Sequence, residues 1–181
     1  SYDTEYALDV QVVGDRAFLA NNDDHGLTDG VDGLVIVDVA NPAAPTLLGS
    51  YDTPRSARGV QVVGDRAFVA AGSAGLHIVD VANPAAPTLL GSYDTPGSAR
   101  GVQVVGNRAF IAAWSAGLVI VDVANPAAPT RIGSYDTEYA LDVQVVGDRA
   151  FVATTAGLVI VDVANPAAPT FLGSYDMPGW A

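Results

Sequence analysis

Val60-Gln61-Val62-Val63-Gly64-Asp65-Arg66-Ala67-Phe68-Val69-Ala70, continued by Leu76-His77-Ile78-Val79-Asp80 and Thr88-Leu89-Leu90-Gly91-Ser92-Tyr93-Asp94, is the stretch that decides the fold. The opening Val-Gln-Val-Val is β-branched and runs into Gly64-Asp65, a two-residue hairpin signal. Arg66 to Ala70 makes a second strand, ended by the small-residue loop from Ala71 to Gly75. Leu76 to Val81 is a third, closed by Ala82-Asn83-Pro84. Pro84 and Pro87 fix φ and lack backbone donors, so that loop cannot continue a ladder. Thr88 to Asp94 reads as a fourth strand, stopped by Thr95-Pro96-Gly97. No apolar period of 3.6 residues runs long enough for a helix.

This pattern recurs along the whole chain. Ser-Tyr-Asp stands at Ser1, Ser50, Ser92, Ser134 and Ser174, and Val-Gln-Val-Val-Gly begins unchanged at Val10, Val60, Val102 and Val143. Val-Ala-Asn-Pro-Ala-Ala-Pro-Thr begins unchanged at Val39, Val81, Val123 and Val163. Four units follow, approximately 1–49, 50–91, 92–133 and 134–181, in a single repeat domain. Four short strands per unit of this length are the signature of a propeller blade, which buries its two faces only against neighbouring blades. The expectation is an all-β protein, a β-propeller of four-stranded antiparallel blades with four repeats per chain. An open solenoid of small sheets is the competing architecture.

Leu34-Val35-Ile36-Val37-Asp38, Leu118-Val119-Ile120-Val121-Asp122 and Leu158-Val159-Ile160-Val161-Asp162 resemble the LVIVD repeat, and Leu76-His77-Ile78-Val79-Asp80 is a variant. The flanking Asn-Pro-Ala-Ala-Pro-Thr and Gly-Ser-Tyr-Asp-Thr segments resemble that family too, over essentially the whole chain apart from an insertion after Ala20. The resemblance implies a β-propeller of exported or cell-surface proteins, with no agreed catalytic residues to carry over. Near-identity of the units is what a recently amplified array shows, or one designed or shortened by an engineer. The phasing, which begins at the end of a fourth strand, is that of a segment cut from a longer array.

Charge excludes several classes of partner. Eight arginines, no lysine and 20 acidic residues, all but Glu5 and Glu138 being Asp, give a net charge of −12. Nucleic acid needs a cationic face to neutralise phosphates, and anionic membrane surfaces need the same. No apolar run approaches the length of a membrane helix. The absence of cysteine rules out disulfides, thiolate metal sites and Cys nucleophiles.

Function is sought where the units differ. Units one and four carry Glu5, Tyr6, Asp9 and Glu138, Tyr139, Asp142 in the loop before the first strand, where units two and three carry Arg58-Gly59 and Arg100-Gly101. In a propeller these loops gather at one mouth of the central channel. A rim of acids and arginines suits a small polar ligand or a partner's loop, and the competing reading is a rim of Arg–carboxylate pairs of little energetic weight. The insertion supplies Asp23, Asp24, Asp29 and Asp32, oxygen ligands of the kind Ca²⁺ takes. EF-hand spacing is not met, and a solvated loop that leaves the blade beneath it unaltered is the competing reading. His25 alone makes no transition-metal site. Trp114, in place of a small loop residue, and Trp180 are candidate aromatic anchors, while His77 reads as a packing variant of Val.

Gly-x-Ser-x-Gly, phosphate loops and His-Glu-x-x-His are all absent. The expected function is a non-catalytic scaffold for binding protein or glycan, or for self-assembly, without a cofactor. A calcium-dependent adhesion or glycan-binding module is one alternative. A hydrolase or lyase using Glu5 and Glu138 is another. Four blades are at the lower limit of ring closure, so a homodimer completing an eight-bladed ring is expected.

Overall fold

The computed structural model describes residues 7–22 and 32–178. Asp23, Asp24 and Asp29 of the candidate calcium loop, with Glu5 and Tyr6 of the candidate mouth, lie outside the described residues. The described residues form sixteen strands and no helix. The first blade contains β1 (Ala7–Val13), β2 (Arg16–Asn21), β3 (Gly33–Asp38) and β4 (Thr46–Asp52), and the second β5 (Gly59–Val63), β6 (Arg66–Ala70), β7 (Leu76–Asp80) and β8 (Thr88–Tyr93). The third contains β9 (Gly101–Val105), β10 (Arg108–Ala112), β11 (Leu118–Asp122) and β12 (Thr130–Tyr135). The fourth contains β13 (Ala140–Val146), β14 (Arg149–Thr154), β15 (Gly157–Asp162) and β16 (Thr170–Asp176). Each set is one antiparallel sheet with its strands in chain order. The chain is thus a four-repeat array of propeller blades. The first blade keeps this architecture despite its insertion, whose flanks are tied into it: Asn21 ends β2, and the Asp32 carbonyl accepts the Thr53 amide at 2.7 Å.

Local chemistry accounts for each corner. The β1–β2 hairpin closes with Val13 opposite Arg16, leaving Gly14 and Asp15 as the turn, and Gly14 takes φ 58°. That left-handed first turn position is the glycine position of a type II′ hairpin, whose twist matches the strands. The final Asp of each Leu-Val-Ile-Val-Asp run starts the next loop: Asp38 Oδ1 accepts the Ala40 amide at 2.8 Å, and Asn41 Oδ1 accepts that of Ala43 at 3.1 Å. The same paired turns form at Asp80 and Asn83, Asp122 and Asn125, and Asp162 and Asn165. Asp and Asn recur because their short side chains cap the backbone two residues ahead. The outer strand of each blade carries a bulge that the sequence did not announce: Ile36 pairs with Gly49 and Val37 with Leu47, so Leu48 is extra. The shift repeats at Leu90, Ile132 and Leu172.

Blades meet through three repeated contacts. The inner strands β1, β5, β9 and β13 lie side by side in that order. Across each boundary a glutamine side chain reaches forward: Gln11 Oε1 accepts the Val62 amide, Gln61 that of Val104, and Gln103 that of Val145. Behind these lies the core. Phe18, Ala20, Leu34 and Ile36 of the first blade pack on Val60, Val62, Val69, Val79 and Val81 of the second. Equivalent clusters fill the next two boundaries. Each large side chain fully buried there contributes about 1.5–3 kcal/mol. At the rim, the outer-strand glycine of one blade sits under the proline loop of the next, with Gly49 on the Pro84 carbonyl, Gly91 on that of Pro126 and Gly133 on that of Pro166.

A Cβ at Gly91 would fall on the Pro126 carbonyl oxygen, which belongs to rigid backbone. Gly91→Ala is therefore expected to destabilise the fold by about 1–3 kcal/mol, measured by urea melts. His77 is buried between the first two blades, with its Nδ1 3.4 Å from the Tyr51 hydroxyl. Burial lowers its pKa and the charge of Asp94 opposes that shift in part. Its native-state pKa thus lies below its unfolded value of about 6.5, so the unfolded chain binds the proton more readily. Stability should fall as pH drops below about 6.5. His77→Val, which restores the residue of the other three blades, should flatten that dependence. Thermal melts of both proteins between pH 7.5 and 5 check this, and parallel curves would refute it.

Candidate functional site

At the end of the inner strands where β5 and β9 begin, Leu8, Asp9, Arg58, Gly59, Arg100, Gly101, Leu141 and Asp142 line a depression of about 230 Å³. Residues from all four blades therefore converge, because each occupies the same position in its repeat. The backbone amides of Arg58 and Arg100 donate to Ala70 and Ala112 carbonyls, both at 2.8 Å, which fixes the loops that carry them. Arginine here comes with a following glycine for a steric reason. A Cβ at Gly59 would lie 2.7 Å from the Arg100 carbonyl oxygen, and one at Gly101 would collide with the Asp142 carboxylate.

The two aspartates differ in what they do. Both carboxylate oxygens of Asp9 are engaged by backbone, Oδ1 accepting the Val10 amide at 2.8 Å and Oδ2 the Val60 amide of the next blade at 2.9 Å. Asp142 Oδ1 accepts the Val143 amide at 2.8 Å. Desolvation raises the Asp142 pKa, the Val143 hydrogen bond opposes this, and the charge of Asp9 adds to it. Neither arginine forms an ion pair with a described residue. Arg100 instead lies flat on Trp114, its guanidinium carbon 3.6 Å from the ring centroid, a cation–π contact. Its Nε is buried without a hydrogen-bond partner among the described residues. Burial, and then the neighbouring charge of Arg58, lower its pKa from the ordinary value.

Trp114 occupies the place of Gly72 in the second blade and adopts the same left-handed backbone, φ 46° against 54°. Its carbonyl accepts the Ala140 amide at 3.0 Å, as Gly72 and Ala99 bond one blade earlier. The ring is flanked by Tyr139, itself at φ 37°, with centroids 4.8 Å apart. Tyr139 remains exposed. An aromatic pair thus supports one arginine of the mouth. The sequence singled out Trp114 and Arg100 separately, and nothing in their spacing announced that they stack.

Glu138 lies elsewhere, in a second depression of the fourth blade with Thr154, Phe171, Ser174 and Asp176. Of the aspartates proposed for calcium, Asp32 is described, and no group of three or more His, Cys, Asp or Glu suited to a metal occurs among the described residues. Larger clefts, of about 570 and 500 Å³, open at the opposite ends of the strands beside the Gly-Asp-Arg hairpins. Their lining repeats from blade to blade and holds no chemistry peculiar to one of them. No described helix is long and apolar enough to cross a membrane.

Solved structures share this architecture at low identity. A protein from Lactobacillus plantarum matches with TM-score 0.74 at 14% identity, over 97% of this chain and 57% of that one. The β-propeller domain of Cps50 (Swd1) from Myceliophteria thermophila matches with TM-score 0.68 at 14% identity, over 91% and 56%. The computationally designed Ika4 protein matches with TM-score 0.69 at 9% identity, over 94% of both chains. The chain spans about half the length of the first two. No curated protein matches it. The LVIVD repeat matches four times, at residues 5–53, 54–95, 96–137 and 139–177, so all sixteen strands described above fall within a match. The chain belongs to the LVIVD repeat family.

Proposed function

We propose that the chain is a non-catalytic binding module whose mouth holds the carboxylate of an acidic sugar between Arg58 and Arg100. The observation that carries this reading is an arginine pair without ionic partners among the described residues, one member of which is propped on an indole. A guanidinium presents a planar fork of donors that fits a carboxylate bidentately, and stacking on Trp114 holds that fork in place without consuming it. The exposed ring of Tyr139 beside Trp114 offers the apolar face on which a pyranose stacks. A net charge of −12 repels polyanions at long range, which favours a ligand with one carboxylate, a uronate unit or chain end, over a polymer of them. An exported or cell-surface setting, implied by the family, is where such sugars are met.

Catalysis finds little support in this mouth. Both oxygens of Asp9 and one of Asp142 are committed to backbone amides, which suits them to holding loops rather than moving protons.

Titration calorimetry with a glucuronate-terminated oligosaccharide and its neutral glucose counterpart tests the reading. The acidic ligand should bind and the neutral one should not. Arg100→Ala should weaken binding by roughly tenfold or more, the loss of a charge-assisted hydrogen bond. Equal affinity for both sugars, or for the wild type and Arg100→Ala, would refute it.

A further inference from the structure

The three blade boundaries are copies of one another, and parts of each half of that boundary are found once more uncovered. On the leading side this half is the inner strand of the first blade. Val62, Val104 and Val145 are 7%, 8% and 7% exposed because a preceding blade covers them, whereas Val12, at the same position, is 59% exposed. Val10 is exposed as well, while Val60 and Val143 are buried. Beyond the inner strand, Ala17, Val35 and Val37 of that face are buried and Leu19 and Val39 half-buried within the chain, so the open part is the inner strand and the proline loop. Pro42 is exposed where Pro84, Pro126 and Pro166 are half-buried against the glycine of the blade before.

The trailing half lies on the fourth blade. Leu172 is 50% and Tyr175 64% exposed, although Leu48, Leu90 and Ile132, and Tyr51, Tyr93 and Tyr135, are partly covered by a following blade. Phe151, Leu158 and Ile160 are likewise more open than their counterparts in the other blades. A Cβ built on Gly173 meets nothing, whereas at Gly49, Gly91 and Gly133 it meets a proline carbonyl. Gln144 is exposed and has no following strand to receive its side chain, although Gln11, Gln61 and Gln103 each reach one. The four blades therefore do not close upon themselves.

We propose that a second copy of this chain supplies the missing complements, two chains forming one ring of eight blades. The two exposed halves have the same residues as the three boundaries already joined, so the surface most complementary to the fourth blade is the first blade of another copy. A two-fold axis satisfies both junctions at once: each fourth blade meets the partner's first blade, and no boundary is left over. Eight blades lie within the range in which propellers close, and a third copy would exceed it. Gln144 then accepts the amide of the partner's Val12, Gly173 lies under the carbonyl of the partner's Pro42, and Leu172 and Tyr175 pack on the partner's first blade as Leu48 and Tyr51 do on the second.

Sedimentation equilibrium of the full chain over a hundredfold concentration range tests this. The expected mass is twice the 18.5 kDa of one chain. Gly173→Ala should leave the circular dichroism spectrum intact and give single chains, because its Cβ has room in one chain but not in the ring. Leu172→Asp, at a side chain exposed in the single chain, should do the same without touching the backbone. Gln144→Ala should raise the dimer dissociation constant roughly tenfold, as two symmetric hydrogen bonds are lost. A wild-type mass of one chain throughout, a mass that climbs past two chains with concentration, or Gly173→Ala and Leu172→Asp proteins that remain dimeric would each overturn the proposal.

Discussion

A blade of four short strands has two apolar faces and no helix to lay over either, so its stability rests on the side of its neighbour. The contact that makes this cover close enough is the seating of an outer-strand glycine beneath the proline loop of the next blade. No side chain stands between the two backbones there, and the bulge beside each glycine bends the strand to receive the loop. Once the backbones are at that distance, the Phe, Leu and Ile of one sheet reach the Val and Ala of the next, and the inner-strand glutamine spans to the following amide. Loosening the rim would open the core behind it.

That constraint explains which residues the repeats hold fixed. The Asp and Asn of each loop shape the turn that delivers the proline carbonyl, and the glycine receives it. Glutamine is the polar side chain that every inner strand shares, because it is long enough to cross a boundary and carries the acceptor that the next edge amide requires. The mouth is built from positions that differ between blades.

Strand order, hairpins and the family were legible in the sequence because β-branched runs, Gly-Asp turns and proline loops act locally and recur four times. The bulge at Leu48, Leu90, Ile132 and Leu172 was not, since an extra residue in a pairing register leaves no mark on either strand's own pattern, and identical repeats offer no contrast that would expose it. Of the mouth, the sequence yielded the residues but not their partners. Asp9 reads as a free acid beside arginines, yet it binds the backbone of its own and the next blade. Arg100 reads as half of an ion pair, yet it lies on an indole contributed from fourteen residues further along. Glu138 shares its loop with Tyr139 but faces a different depression. Contacts between blades join residues about one repeat apart, and local pattern is silent at that range.

The left-handed backbone at Trp114 sets stability against support of the mouth. Glycine takes that conformation in the second blade without strain, and a bulky residue held there costs on the order of 1 kcal/mol or more. The second and third blades differ here, glycine at 72 and tryptophan at 114, on otherwise matching loops. The strain is borne at the one blade where an indole carries an arginine of the mouth, its ring 3.6 Å below the Arg100 guanidinium carbon. Returning glycine to that place would therefore relax the backbone while leaving Arg100 without the ring it lies on, so stability of the scaffold and order of the mouth pull in opposite directions at this one residue.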